Sequence, residues 1–223
     1  MDSFQPGIKT IHTYPFNKNG LVVEIWGKPI DGRAIIQNGG DYRGLLARHV
    51  FKLGKEGPKR IISPVPEHKD NITSSKELKI LSAQEGQAVL YRGNYADGAI
   101  VNRGEVYALA SADCPTVSIH DPCLGTTIVV HFSRESGVVR DILKKALTHF
   151  SPTIRSRVVA TISLGIHTEN FQHRWDDPQY GEANRKLIDN LIDVFGENSV
   201  SEDPRQGGIN LRFIAAETLL RAG

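Results

Sequence analysis

Up to His131 the apolar positions of this chain come in short runs of strand character; after it their period changes from two to 3.6. Leu21-Val22-Val23-Glu24-Ile25-Trp26 reads as an early strand, broken by Gly27 and Pro29. Asp41 is placed to cap a helix whose apolar positions Leu45, Leu46, Val50 and Leu53 share one face, with Gly54 and Gly57-Pro58 ending it. Arg60-Ile61-Ile62-Ser63 is a short strand leading into Pro64-Val65-Pro66-Glu67-His68, where two prolines hold the chain extended and stiff. Residues 70–81 are polar and predict a loop, with room for a short helix. Ala88–Tyr91 and Ala99–Val101 are strand-like. Beyond His131, Val138, Val139, Ile142, Leu143, Ala146 and Leu147 predict one amphipathic helix, with Pro152 beyond its end. Val158–Ile162 is a strand and Pro178–Gly181 a turn. Leu187, Ile188, Leu191, Ile192 and Phe195 form a helix face closed by Gly196, and Phe213–Leu220 gives a last helix. Strands and helices mix without strict βαβ alternation, so the expected class is α+β with a mixed sheet.

The 223 residues suit one domain spanning 1–223. Hydrophobic residues are 39% and charged residues 23%, ordinary for a soluble globular chain. Net charge is only +2 with both signs interspersed and no Lys/Arg block, which argues against a dedicated nucleic-acid binder. The first residues carry no apolar signal core and no run approaches membrane length, so the expectation is a cytoplasmic protein without a membrane partner, and a monomer. Two cysteines, Cys114 and Cys123, do not make a disulfide scaffold. No P-loop or dinucleotide fingerprint is present.

The chemistry concentrates between Ala108 and Arg134. One β-rich run ends at Ala112-Asp113-Cys114 and another, Ile128-Val129-Val130, at His131. Strand ends present polar groups to a ligand without burying them unpaired. A Cys and a His there serve as metal ligands or as a nucleophile and its base; the structural alternative is a buried Cys and a satisfied strand-end His. Asp113 is a general-base candidate or a turn former. Arg134, three residues past His131, offers a planar fork of donors to an anion such as phosphate, or is a solvated loop arginine. Asp97 reads as a turn former. Alternation from Val117 and Ile119 puts His120 on the other strand face, so His120 and Cys123 are left out as ligands. His167 and His173 read as surface-loop residues, and Trp175 and Tyr180 as aromatics that stack on a base or pack a loop.

Several blocks together resemble a known family: Ala96-Asp97; Ser111-Ala112-Asp113-Cys114-Pro115; Asp121-Pro122; and the strand ending at His131. Upstream, Gly40-Asp41 precedes a helical stretch and Val65-Pro66-Glu67-His68; downstream, Ile209-Asn210-Leu211 precedes a helix. The family is that of bacterial proteins first called polyphenol oxidases or laccase-domain proteins, regarded as zinc-dependent purine nucleoside phosphorylases that also deaminate adenosine. It carries an Ala-Asp pair, a T-A-D-C-x-P-V block running to Asp-Pro, and a strand ending in H-A-G-W-R-G. The resemblance runs from about Asp41 to Gly223. The sequence departs from the family's pattern at Lys69, where a glycine is usual, and at Phe132–Gly137, which replaces A-G-W-R-G. It also departs at Ser163–Gln172, a worn G-P-x-I-G-P-x-x-Y-E-V run, and the family's final Cys-Thr and Phe-Phe-Ser-x-R-R have no counterpart before Gly223.

The resemblance implies a layered mixed-sheet core flanked by helices and one zinc ion on His68, Cys114 and His131. Three protein ligands leave the fourth tetrahedral position open, as in catalytic zinc. It implies phosphate attack on a purine nucleoside, with Cys114, Asp113 and Arg134 as the candidate catalytic residues and small-molecule nucleoside and phosphate as partners. The alternatives are a non-catalytic metal-binding relative, a metal-free cysteine hydrolase in which His131 activates Cys114, and a copper polyphenol oxidase. The last is disfavoured because a multicopper site needs more histidines than the chain offers.

Overall fold

In a computed structural model of the chain, the described residues are 10–16, 21–26, 60–82, 89–92, 95–109, 113–163 and 165–223. The helix expected after Asp41 lies outside them. Eleven strands are described. Thr10–Phe16 (β1) and Leu21–Trp26 (β2) form an antiparallel pair; β1 is a strand that the apolar pattern did not predict. Arg60–Ile62 (β3), Lys79–Ser82 (β5), Val89–Arg92 (β6) and Glu105–Tyr107 (β8) make a four-stranded sheet in the order β5-β6-β3-β8. Ile72–Ser74 (β4), Gly98–Val101 (β7), Thr116–Asp121 (β9), Thr126–His131 (β10) and Val159–Ile162 (β11) make a five-stranded one in the order β11-β9-β10-β7-β4. Both sheets mix parallel and antiparallel pairs. The polar stretch 70–81 thus holds two short strands rather than a loop or helix. Propensity did not reveal them because pairing with β7 and β6 outweighs local preference.

Alternation along the five-stranded sheet explains the layering. Val117, Ile119, Ile128 and Val130 face the helices and join the main core. Ala99, Val101 and Val129 face the other way and pack with Ile62, Leu78 and Tyr107 of the four-stranded layer. The helices are Ile142–Leu147 (α1), the single turn Pro152–Arg155 (α2), Gly181–Phe195 (α3) and Leu211–Arg221 (α4). α3 buries Ile188 and Leu191, and α4, capped by the Asn210 side chain on Phe213 N–H, buries Ile214 and Ala215. The class is α+β, as the periodicity implied.

The helix expected over 138–147 is two pieces. A π-helical turn, Arg134–Val139, is closed at its start by a reciprocal Ser133–Ser136 cap. Asp141 then adopts a left-handed conformation at φ 52° and caps α1 by accepting from Lys144 N–H. The break leaves Val139 exposed, while Ile142, Leu143, Ala146 and Leu147 reach the core. Gly137 permits the turn: a Cβ there would sit 2.6 Å from the ring of Phe132, which is fully buried. At the far end of the sheet, the buried Asp121 carboxylate accepts from Cys123 and Leu124 N–H and from Arg157, closing the β9–β10 connection.

Gly137→Ala is expected to destabilise the fold by about 1–3 kcal/mol through overpacking. Combination with Phe132→Leu should recover part of the loss. Urea midpoints of the two single variants and the double variant check this; additive losses would contradict the contact.

Candidate metal centre

Strand order collects the chemistry at one end of the five-stranded sheet. β10 and β11 end there, β4, β7 and β9 begin there, and each delivers one segment. Across the sheet these are residues 163 and 165–167 after β11, Asp113-Cys114 before β9, His131 to Arg134 at the end of β10, Asp97 before β7 and the His68 turn before β4. Residues separated by 60 positions and more therefore share one edge, the usual place for a ligand in a layered sheet.

Among the described residues, His68, Asp97 and His131 offer ligand atoms within 4.8 Å of one another. The two imidazole centroids are 5.5 Å apart and tilted by 59°. His131 and Asp97 are buried and His68 is exposed, so the group opens outward through His68. Asp97, read from sequence as a turn former, is the central residue. Its Oδ1 accepts from His131 Nδ1 at 3.1 Å and from His68 N–H at 3.1 Å. Its Oδ2 accepts from Lys69 N–H at 2.7 Å and from Glu67 N–H at 3.3 Å. Its main-chain carbonyl accepts from His131 N–H at 2.6 Å. Gly98 makes the approach to β10 possible, since a Cβ there would meet Val130 at 2.9 Å.

Burial acts to raise the Asp97 pKa. The hydrogen bonds from His131, Lys69 and His68 act against it and hold the carboxyl below its ordinary value of 3.8. The ionised carboxylate is acceptor-only, so His131 carries its proton on Nδ1, which leaves Nε2 as the unprotonated nitrogen of the neutral ring. That is the geometry of a ligating histidine backed by a carboxylate.

Cys114 is half-buried against the main core and its thiol is not part of the 4.8 Å group. Burial first, then the charges of Asp113 and Asp97, push its pKa up to about 11. Its segment is tied to its neighbours: Phe132 N–H donates to the Pro115 carbonyl and Ile166 N–H to the Asp113 carbonyl, at 2.9 and 2.7 Å. The Asp113 side chain is exposed. Arg134 opens the π-helical turn, half-buried, and has no hydrogen bond or ion pair among the described residues. His173 faces it: burial and then the Arg134 charge lower the His173 pKa from 6.5, and its Nδ1 lies 3.2 Å from the Phe171 carbonyl. His173 is thus half-buried, whereas His167 is on the surface as expected. Trp175 packs against the core beneath Arg185, and Tyr180 is exposed. His120 is buried in the sheet on Thr127 Oγ1, toward the opposite end of β9 from the edge that carries His131.

No family model matches the chain, and no curated protein does. Solved structures do. A Neisseria meningitidis protein of the DUF152 family superposes with a TM-score of 0.58 at 14% identity, over 88% of this chain and 70% of its own. The chain has the DUF152 fold. The Bacillus licheniformis hypothetical protein YfiH matches with a TM-score of 0.52 at 15% identity, over 73% of this chain and 59% of its own. YlmD from Geobacillus stearothermophilus matches at 0.51 and 20%, over 74% and 59%. The chain therefore spans about three fifths of the length of the last two. The shared architecture agrees with the layered mixed sheet that the sequence resemblance implied. No described helix is long and apolar enough to cross a membrane.

Because its folded pKa lies below 3.8, Asp97 contributes stability that is fully present above that value and lost as pH falls through the folded pKa. The urea midpoint of metal-free protein should therefore drop below pH 3.8. In Asp97→Asn the midpoint should already be lower at neutral pH and fall less steeply in acid. Parallel acid limbs for the two proteins would contradict the assignment.

Proposed function

We propose that the chain is a metal-dependent enzyme that holds one zinc ion on His68, Cys114 and His131 and splits purine nucleosides with phosphate. The observation that carries the reading is the buried Asp97–His131 pair beside His68. A carboxylate on Nδ1 frees Nε2 for a metal, and two imidazoles a few ångströms apart are a donor set suited to zinc. Cys114, on the adjoining strand end, is the third donor in this reading. Its pKa of about 11 counts against a metal-free nucleophile, which needs a depressed one. A bound divalent ion would hold the sulfur as thiolate and polarise an oxygen at its open position.

The chain's own residues supply the rest. Arg134, a half-buried guanidinium with no carboxylate on it among the described residues, presents its fork to the attacking phosphate. His173, held neutral at pH 7 by burial and by the Arg134 charge and bonded at Nδ1 to the Phe171 carbonyl, is an uncharged neighbour of Arg134. Asp113, exposed at the mouth, is the free carboxylate placed to take a proton, while Asp97, filled by its own donors, is not.

Two measurements test this. Purified without a polyhistidine tag, the protein should carry close to one zinc per chain, lost in Cys114→Ala and His131→Ala with the fold retained; metal-free protein from zinc-replete medium would defeat the metal reading. Given phosphate and adenosine or inosine, it should release base and ribose 1-phosphate. Arg134→Ala should raise the phosphate KM about 10- to 100-fold, the worth of a charged hydrogen bond, and change kcat less. Zinc-loaded protein that turns over no purine nucleoside would favour a non-catalytic metal binder.

A further inference from the structure

We propose that Asp97 is a positioning residue that builds the metal site before any metal arrives, fixing His68 through its backbone and His131 through its ring, and that it is not itself a ligand. The inference rests on the metal reading of the site and goes beyond it, since geometry alone would admit Asp97 as a third donor.

The lone pairs decide. An ionised carboxylate offers about four acceptor sites. At Asp97 all four are engaged, by Glu67, His68 and Lys69 N–H and by His131 Nδ1. A metal on either oxygen would displace one of these and leave a donor unpaired beside a fully buried group. The three consecutive N–H groups converge because His68 adopts a left-handed backbone, φ 58°, unusual for a residue with a Cβ. Nothing in Pro66-Glu67-His68-Lys69 requires that conformation locally, and the carboxylate imposes it. The strain is thereby held by the fold and not by the metal. The same carboxyl sets the His131 tautomer, and the Asp97 carbonyl takes the His131 N–H. One residue thus sets both imidazoles, one from its main chain and one from its ring.

The test titrates the metal-free chain with Co2+ and follows the visible d–d bands, comparing wild type with Asp97→Asn. The variant should bind about 10- to 100-fold more weakly, the usual effect of losing such a supporting group, with band positions unchanged because the ligands are unchanged. Equal affinity would overturn the proposal, and so would shifted bands, which would place Asp97 among the ligands. Wild type that binds no Co2+ would overturn the metal reading itself, so the two failures are distinct. Amide exchange in metal-free wild type gives an arm that needs no variant to fold. Glu67, His68 and Lys69 N–H should be protected without metal, and fast exchange at all three would overturn the proposal.

Discussion

Removing an ionised carboxylate from water costs several kcal/mol unless its oxygens are filled by donors with good geometry. At Asp97 they are filled by three backbone N–H groups of one turn and by the imidazole at the end of β10. The arrangement requires the turn after Pro66, the start of β7 and the end of β10 to meet, so satisfying one charge fixes the relative placement of three segments. Further bonds lock the same meeting point: Ala96 N–H to the Val65 carbonyl, and Asp97 and Gly98 N–H to the Asn71 carbonyl. Charge, register and loop geometry agree here, which is what makes the site rigid.

The sheet converts that local constraint into a functional edge. Because β7 and β10 are antiparallel and β4 runs parallel to β7, the N-terminal ends of β4 and β7 and the C-terminal end of β10 coincide. β9 and β11 add the Cys114 segment and residues 163 and 165–167 to the same edge. Gly165 lets those two segments touch: a Cβ there would press on Pro115 at 3.0 Å. Val117 and Ile119 of β9 and Ile128 and Val130 of β10 are committed to the helix side, and Val129 of β10 packs toward the second sheet.

Much of this was legible in the sequence. The strands ending at His131 and Ile162 and the helix faces over 187–195 and 213–220 follow from apolar periodicity, because those elements bury one face against a single core. Motif spacing singled out His68 and His131, which the fold brings together with Asp97. Asp97 was not recognised as the centre. Its position in Tyr95-Ala96-Asp97-Gly98 reads locally as a turn, and its partners lie 28 to 34 residues away. The signal available was its place in the Ala-Asp pair of the resemblance, which named the residue without giving its role. The break at Asp141 was hidden because Val138 and Val139 continue the apolar period of α1; a left-handed residue leaves no trace in hydrophobicity.

The segment after His131 is built so that it does not disturb the imidazole. The π-helical turn has its own cap, and Ser136 Oγ, 2.7 Å from the His131 carbonyl, donates to it. His131 is therefore held at its ring by Asp97, at its N–H by the Asp97 carbonyl and at its C=O by Ser136. With all three fixed inside the protein, the residues beyond are free to carry different chemistry without moving the imidazole. Arg134 is the first of them, one residue past the Ser133 cap. Its direction is set by a turn that Gly137 and Phe132 hold shut. The His68–Asp97–His131 group and the segment beyond it are thus built separately in this fold: the first rests on the Asp97 carboxylate and the strand ends, the second on a compact turn with its own cap.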